Sequence, residues 1–512
     1  MIAIQQPKNL VKPRNWCSVL FLTLAVVGML ASISSCASTK TDAAAAASAD
    51  AGSGTGSGTG AYAMSSIQLD QASSVLHHQY GIEELRKDFR QLRTIMEDKT
   101  VGLYTDRARL AAMLDGAEAA LTESMTELQF YRLLAPIVAE LRCGHSFLSV
   151  SAGMEEHLRA EALFFPLGVR IFGDRLFVVE DGHGLGVAPG SEILGLNGMA
   201  AAELIQLITA NVVTDGLDQG RPRRDTELWF AALYYSYVDA PASFMLELVP
   251  PASSSELPSD LTPSLPPRSA PDTSQTVTLE IPAVRDARLA KIAQGIVYDT
   301  VDAPYSRAFK ADHAVLTVPT FSYRKPKAYY TFLENFFTEL SARQLDTLVL
   351  DLRGNYGGSP APTAELFKYL IDEPTPFFAR NNPIYLAPWK KPVKPVPEAF
   401  HGKLYVLVDE AAFSMNSFLI SLLRHHGIGT LVGSATAGSW ACSDAARGVT
   451  LKHTGLRLKY STQDFYTAVN GQEAGIGILP DVPVAWTLAD YLEGRDPVLD
   501  AALVLAGVSS AD

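Results

Sequence analysis

Beyond about residue 310 the chain repeats one pattern, a short apolar run followed by a helical stretch. This constrains its fold more than any other feature. "HAVLTVPTF", "LDTLVLDLRG", "KLYVLVD" and "GTLVG" are the apolar runs, and 326–343, 361–372 and 416–426 are the helical stretches between them. Units of this kind predict an α/β core, a parallel or mixed sheet with helices on its faces. With 512 residues, 47% of them hydrophobic, there is material for more than one core. Length alone argues for about two to four domains.

The first 63 residues belong to no core. Lys8, Lys12 and Arg14 form a basic region, an apolar run spans Val19 to Leu30, and small residues in "SISSC" precede Cys36. An apolar core of about 12 residues is short for a spanning helix, and the layout is that of a secretory signal. It resembles a bacterial lipoprotein signal, 1–36, in which Cys36 is lipidated and becomes the first mature residue. That resemblance implies a chain tethered by lipid in the bacterial cell envelope, periplasmic or at the outer membrane. Residues 37–63 are Ala/Ser/Thr/Gly-rich and read as a flexible spacer.

Helical periodicity follows. Leu85, Phe89, Leu92 and Ile95 recur at three- and four-residue intervals, a second periodic segment runs from Leu110 to Leu121, and "ELQFYRLLAPIVAEL" is a third. Residues 64–150 are thus a helical domain that ends in "RCGHSFLSV". From 160 to 250 the pattern changes to short strands, with a turn at Gly173-Asp174 and an Asn-Gly turn in "EILGLNGMA". The Pro/Ser-rich stretch at 251–282 reads as an exposed insertion. The core is assigned 283–490 and the remainder, 491–512, a C-terminal tail.

Two stretches of the core carry chemistry. "LVLDLRGNYGGSP" is a buried strand ending in a turn where Gly354, Gly357 and Gly358 permit conformations other residues resist. In "FSMNSFLISLLRHHG", Ser414 opens a helix directly after an apolar strand. A serine there either caps the helix, accepting a bond from a free N–H, or attacks a substrate whose negative oxygen the helix end would steady.

A "DLRGNxGG" strand end, a serine-led helix and a "VGxxTxG" turn, in this order, resemble the C-terminal processing (tail-specific) serine peptidases and their relatives around the tricorn core peptidase. The resemblance covers roughly 80–490. It implies a crotonase/ClpP-like α/β catalytic core with Ser414 as nucleophile. The general-base lysine of the processing branch is replaced here by Ser439, and Lys452 and Lys459 have the wrong spacing. The tricorn-like branch uses histidine instead, and "LRCGHSFL" resembles its "DGHT"-type motif at His145. "NGQEAGIGILPDVPV" resembles its terminal segment, with Glu473 at the acid position. The implied relay is Ser414–His145–Glu473. Gly144 stands where that branch has a serine, so this fourth member is not carried over. The oxyanion hole implied is the backbone N–H of Met415 with Gly357 or Gly358, and Tyr356 stands where the family often has glycine. "FFPLGVRIF…RLFVVED" resembles a PDZ-like module, with Phe165, Leu167 and Gly168 in a substrate-tail loop. Cys143 and Cys442 flank the site; outside the cytoplasm a disulfide between them is permitted, and two buried thiols are the alternative.

The net charge of −13 argues against nucleic acid, and four cysteines in 512 residues exclude a disulfide scaffold. No closely spaced Cys/His cluster suggests zinc, so no metal or cofactor is expected. The expectation is a lipid-anchored serine peptidase acting on peptide or protein substrates. The alternatives are a catalytically inactive member that binds peptides or apolar ligands, and an acyl-CoA enzyme of the related crotonase fold. A secretion signal argues against the latter, because CoA is cytoplasmic.

Overall fold

The computed structural model describes residues 75–251, 276–293, 305–383 and 386–508. The signal, Cys36, the spacer and residues 252–275 lie outside them. No helix among the described residues is long and apolar enough to cross a membrane.

The expected sheet is present. Its six strands run in the order Val482–Pro483, Thr430–Gly433, Lys403–Val408, Thr347–Asp351, Ala314–Thr317 and Ser306–Phe309. All neighbours are parallel except the last pair. The central strand "TLVLD" is apolar throughout because both of its faces are covered. Leu348 and Leu350 pack against the helices Pro326–Ala342 and Met415–His426. Val349 faces the other way, with Leu407 and Val432, onto Val498, Ala502 and Leu503. Those three lie on the helix Pro497–Ala506, within the segment expected as a tail. The sheet needs an apolar cover there, so this stretch belongs to the core. Its limits are legible in sequence: Asp496 caps Leu499 N–H, Pro497 opens the first turn and Gly507 closes it at φ 72°.

The three N-terminal helices form as the periodicity predicts, at Ile82–Asp98, Arg107–Ala120 and Glu127–Ala139. Leu85, Phe89, Leu92 and Ile95 are all buried. The strand-rich block is an antiparallel sheet. Gly168–Phe172 and Arg175–Glu180 form a hairpin about Gly173 (φ 66°), and Asn197 (φ 50°) and Gly198 (φ 80°) make the tight turn that Asn-Gly favours. The insertion is shorter than its composition suggests, because Val277–Pro282 pairs with Ser243–Val249 as an edge strand.

These blocks are not independent. Helical unit, antiparallel sheet and Leu451–Tyr460 share one apolar core. Phe147–Ser149, directly after the helical unit, pairs antiparallel with Arg457–Tyr460, Phe147 opposite Lys459. Buried Asp88 ties the same region down, accepting bonds from the Thr454 N–H and hydroxyl, both at 2.7 Å. The N-terminal helices are thereby strapped to a hairpin that emerges near the end of the chain.

Candidate active site

Ser414 opens the helix Met415–His426 but does not cap it; its hydroxyl bonds no first-turn N–H. Its backbone is at φ 55°, ψ −125°, a conformation side chains rarely adopt. Holding a serine there costs on the order of 1–3 kcal/mol, and such residues collect at active sites. The hydroxyl instead meets His145, Nε2 to Oγ 3.0 Å. A nucleophile and a base are thus in contact across 269 positions of sequence.

His145 is held by the strand pairing just described and by the ring of Phe413, centroids 4.6 Å apart. Gly144 before it has no room for a side chain: a Cβ would lie 2.5 Å from both Arg221 Nη1 and Phe413 Cζ. That close approach is why no serine can precede the histidine here. Burial lowers the imidazole pKa below its ordinary value; Asp444 raises it, while Arg221 and Lys459 lower it further. The ring is therefore neutral near neutral pH, and Nε2 can take a proton.

Gly357 lies directly on the nucleophile. At φ 94°, its Cβ would be 2.8 Å from Met415 N and 2.9 Å from Ser414 Cβ. Its own N–H, however, donates to Asn355 Oδ1 at 2.8 Å. Of the two expected donors from the glycine turn, Gly357 is thus engaged, while the Gly358 N–H has no partner among the described residues. Gly358 (φ 142°) is obligate, since a Cβ would fall 2.3 Å from the Phe321 carbonyl carbon. The turn is locked to the nucleophile helix by Asn416, whose Nδ2 donates to Leu352 O and Asn355 O at 3.1 and 2.9 Å. Tyr356, in place of the family's glycine, ties the turn to a neighbouring helix. Its hydroxyl donates to Asp225 Oδ1 (2.6 Å) and accepts from Arg224 Nη1 (2.7 Å), both on the helix Gly220–Tyr237.

Ser439 is buried and no base: its hydroxyl lies 3.2 Å from Tyr104 Oη, so a tyrosine fills the space around the absent lysine. The expected acid is not in place either. Glu473 is exposed and forms no hydrogen bond or ion pair among the described residues. Two other carboxylates lie near the histidine: Asp444, with Oδ2 3.7 Å from Nε2, and Asp215, with an oxygen within 4.8 Å of a ring nitrogen. The second is the buried one. It is 2% exposed and accepts the Gly144 N–H at 2.8 Å. It comes from "TDGLDQG", a loop with no periodicity or motif to mark it.

Two further expectations are corrected. Cys143 and Cys442 are both buried free thiols rather than a disulfide. The Cys143 thiol donates to Ser443 O at 3.3 Å, and burial pushes its pKa up to about 12. Phe165 and Leu167 do not form a substrate loop. Phe165 is 1% exposed, wedged between Phe230 and Phe244 (5.3 and 5.1 Å), and Leu167 is 4% exposed. Gly168 begins a paired strand. A cavity of about 820 Å³ opens at the carboxyl ends of the parallel strands, lined among others by Arg353, Asp409, Glu410 and Trp486, but neither Ser414 nor His145 lines it.

Residues 312–484 match the model of peptidase family S41. The match contains the glycine turn and Ser414 and stops short of His145, which the fold brings in from outside it. No curated protein matches the sequence. Among solved structures the chain is similar to mature CPAF, with a TM-score of 0.57, 14% identity, and 83% of this chain and 97% of that one covered. It is similar also to mature CPAF complexed with lactacystin, with a TM-score of 0.56, 13% identity, and 83% and 98% covered. At such identities the likeness shows a common fold over most of both chains. Over residues 312–484 the chain thus carries a region that matches peptidase family S41, a match that supports a serine-type peptidase.

Proposed function

We propose that the protein hydrolyses peptide bonds through an acyl-enzyme formed on Ser414, in the bacterial cell envelope, where a lipid on Cys36 holds it. The observation that carries this is the Ser414 hydroxyl at 3.0 Å from His145 Nε2, on a strained turn and bonded to no helix end. Ser414 Oγ attacks the substrate carbonyl carbon while Nε2 takes its proton. The negative oxygen that forms is steadied by the N–H of Met415 at the positive end of the helix, with the Gly358 N–H of the glycine turn as the second donor. His145 then returns the proton to the leaving amine, and water attacks the ester by the reverse sequence. The proton path needs only Ser414 and His145, since Glu473 is not seated on the imidazole.

The location rests on the basic, apolar and small-residue order that ends at Cys36. The antiparallel sheet beside the core is the candidate PDZ-like module. With Phe165 and Leu167 buried, any peptide it takes meets a sheet edge rather than that loop.

The test is fluorophosphonate labelling of the full chain in detergent, beside Ser414→Ala and His145→Ala. Labelling of the wild type that vanishes in both variants is the expected result. A folded wild type that takes no label removes the activated serine and leaves a peptide-binding protein. Cys36→Ser, run in the same series, is expected to label normally but to leave the membrane fraction.

A further inference from the structure

The imidazole of a serine–histidine pair works only in one tautomer. Nε2 must be bare to take the serine proton, so Nδ1 must carry the hydrogen, and some acceptor must hold it. Nδ1 of His145 is buried and has no hydrogen-bond partner. So is Oδ2 of Asp215. A carboxylate oxygen of Asp215, a ring nitrogen of His145 and the Cys143 sulfur all lie within 4.8 Å of one another. Oδ1 of Asp215 is already fixed by the Gly144 N–H, and Gly216 N–H donates to Arg142 O at 3.0 Å. The aspartate loop is therefore stitched to the histidine loop on both sides of the pair.

We propose that Asp215 is the positioning residue of this site. Its carboxylate holds His145 with the hydrogen on Nδ1 and steadies the imidazolium that forms when Nε2 takes the Ser414 proton. This rests on the peptidase reading above and supplies the acid that Glu473 does not. A small turn of the carboxylate, or one bridging water, closes a gap of this size. The proton passes from Ser414 Oγ to Nε2 and on to the leaving amine; Asp215 keeps its charge throughout.

The other acceptors near the ring are placed differently. Asp444 Oδ2 lies 3.7 Å from Nε2, on the serine side, and its side chain is 43% exposed. The Ser443 carbonyl also favours the charged ring and accepts the Cys143 thiol, but it carries no charge with which to steady an imidazolium. The charged and titratable groups around the pair are Arg221 on its helix, Cys143 before it, Tyr104, Cys442 and Asp444 beyond it, and Lys459 on the strapping strand. Burial raises the Asp215 carboxyl to about 7, while the Gly144 N–H and Arg221 favour its charged form.

The experiment compares Asp215→Asn with Glu473→Gln in the full chain, by turnover of p-nitrophenyl acetate, by labelling rate and by the downfield imidazole proton in NMR. Asparagine keeps an oxygen for the Gly144 N–H but offers an amide hydrogen to Nδ1, which forces the wrong tautomer. The expected result is a kcat lower by about 10³- to 10⁴-fold with KM little changed. The wild-type Nδ1–H signal should be lost in this variant, and its melting temperature not lowered. An Asp215→Asn enzyme within about threefold of wild type, with the signal intact, overturns the proposal. So does a large kcat loss in Glu473→Gln that Asp215→Asn does not share. If the wild type shows no turnover but its downfield signal depends on Asp215, the peptidase reading fails while the pairing stands.

Discussion

At the scale of single residues, the site is built from positions that tolerate almost nothing else. Gly144 is the sharpest case, since any Cβ there meets Arg221 and the Phe413 ring at 2.5 Å. Gly144→Ser, which would restore a serine before the histidine, is expected to cost about 1–3 kcal/mol by overpacking. It should also abolish fluorophosphonate labelling by pushing His145 off Ser414. Thermal melts beside labelling check both, and a labelled, fully stable variant would show that the loop has slack. Ser414 and His145 were legible in the sequence because each sits in a motif whose shape reflects local backbone needs. Asp215 was not legible, because burial and a contact made from a distant loop leave no local pattern. Glu473 was misjudged for the complementary reason: a motif position says which residue stands there, not whether its side chain reaches the ring.

At the scale of elements, apolar runs foretold the central strands well, because a strand covered on both faces must be apolar at every position. What they did not foretell was the cover. The helix Pro497–Ala506 carries the start and stop signals of a helix, yet its place on the sheet follows only from which face of Val349, Leu407 and Val432 lacks a partner. Ending the chain after Asp496 would strip Val498, Ala502 and Leu503 from that face. At about 1.5–3 kcal/mol for each large side chain, with less for alanine, the loss is roughly 4 kcal/mol or more. The truncated protein is expected to melt well below the full chain or to aggregate on expression. An unchanged melting curve would mean the helix is an accessory. The pairing of Phe147–Ser149 with Arg457–Tyr460 was equally invisible, since both strands are short and separated by some three hundred residues.

At the scale of the whole molecule, the buried acids set how stability follows pH. Burial raises Asp215 from 3.8, and Glu227 from 4.5, each to about 7. Between those ordinary values and 7 the folded protein keeps protons that the unfolded chain has released. Stability due to these groups is therefore present at low pH and lost as pH rises through that window. The melting temperature should fall between about pH 4 and pH 7 from this cause. Asp215→Asn should flatten part of the fall, leaving the variant about 1–2 kcal/mol more stable than wild type above pH 7. Loss of activity joined to a gain in stability is the signature of a carboxylate kept for chemistry rather than for folding. Melts across that pH range decide it, and a variant less stable at every pH would speak for a structural role.

The strap between the N-terminal helices and the hairpin at 447–460 also governs when the enzyme can cut. As the chain is made, His145 emerges early with nothing to hold it, Ser414 follows hundreds of residues later, and the strand that brings them together comes later still. Until that last hairpin closes, the nascent protein holds a serine and a histidine that cannot meet. Its order of assembly thus delays the pairing of nucleophile and base until that hairpin is in place.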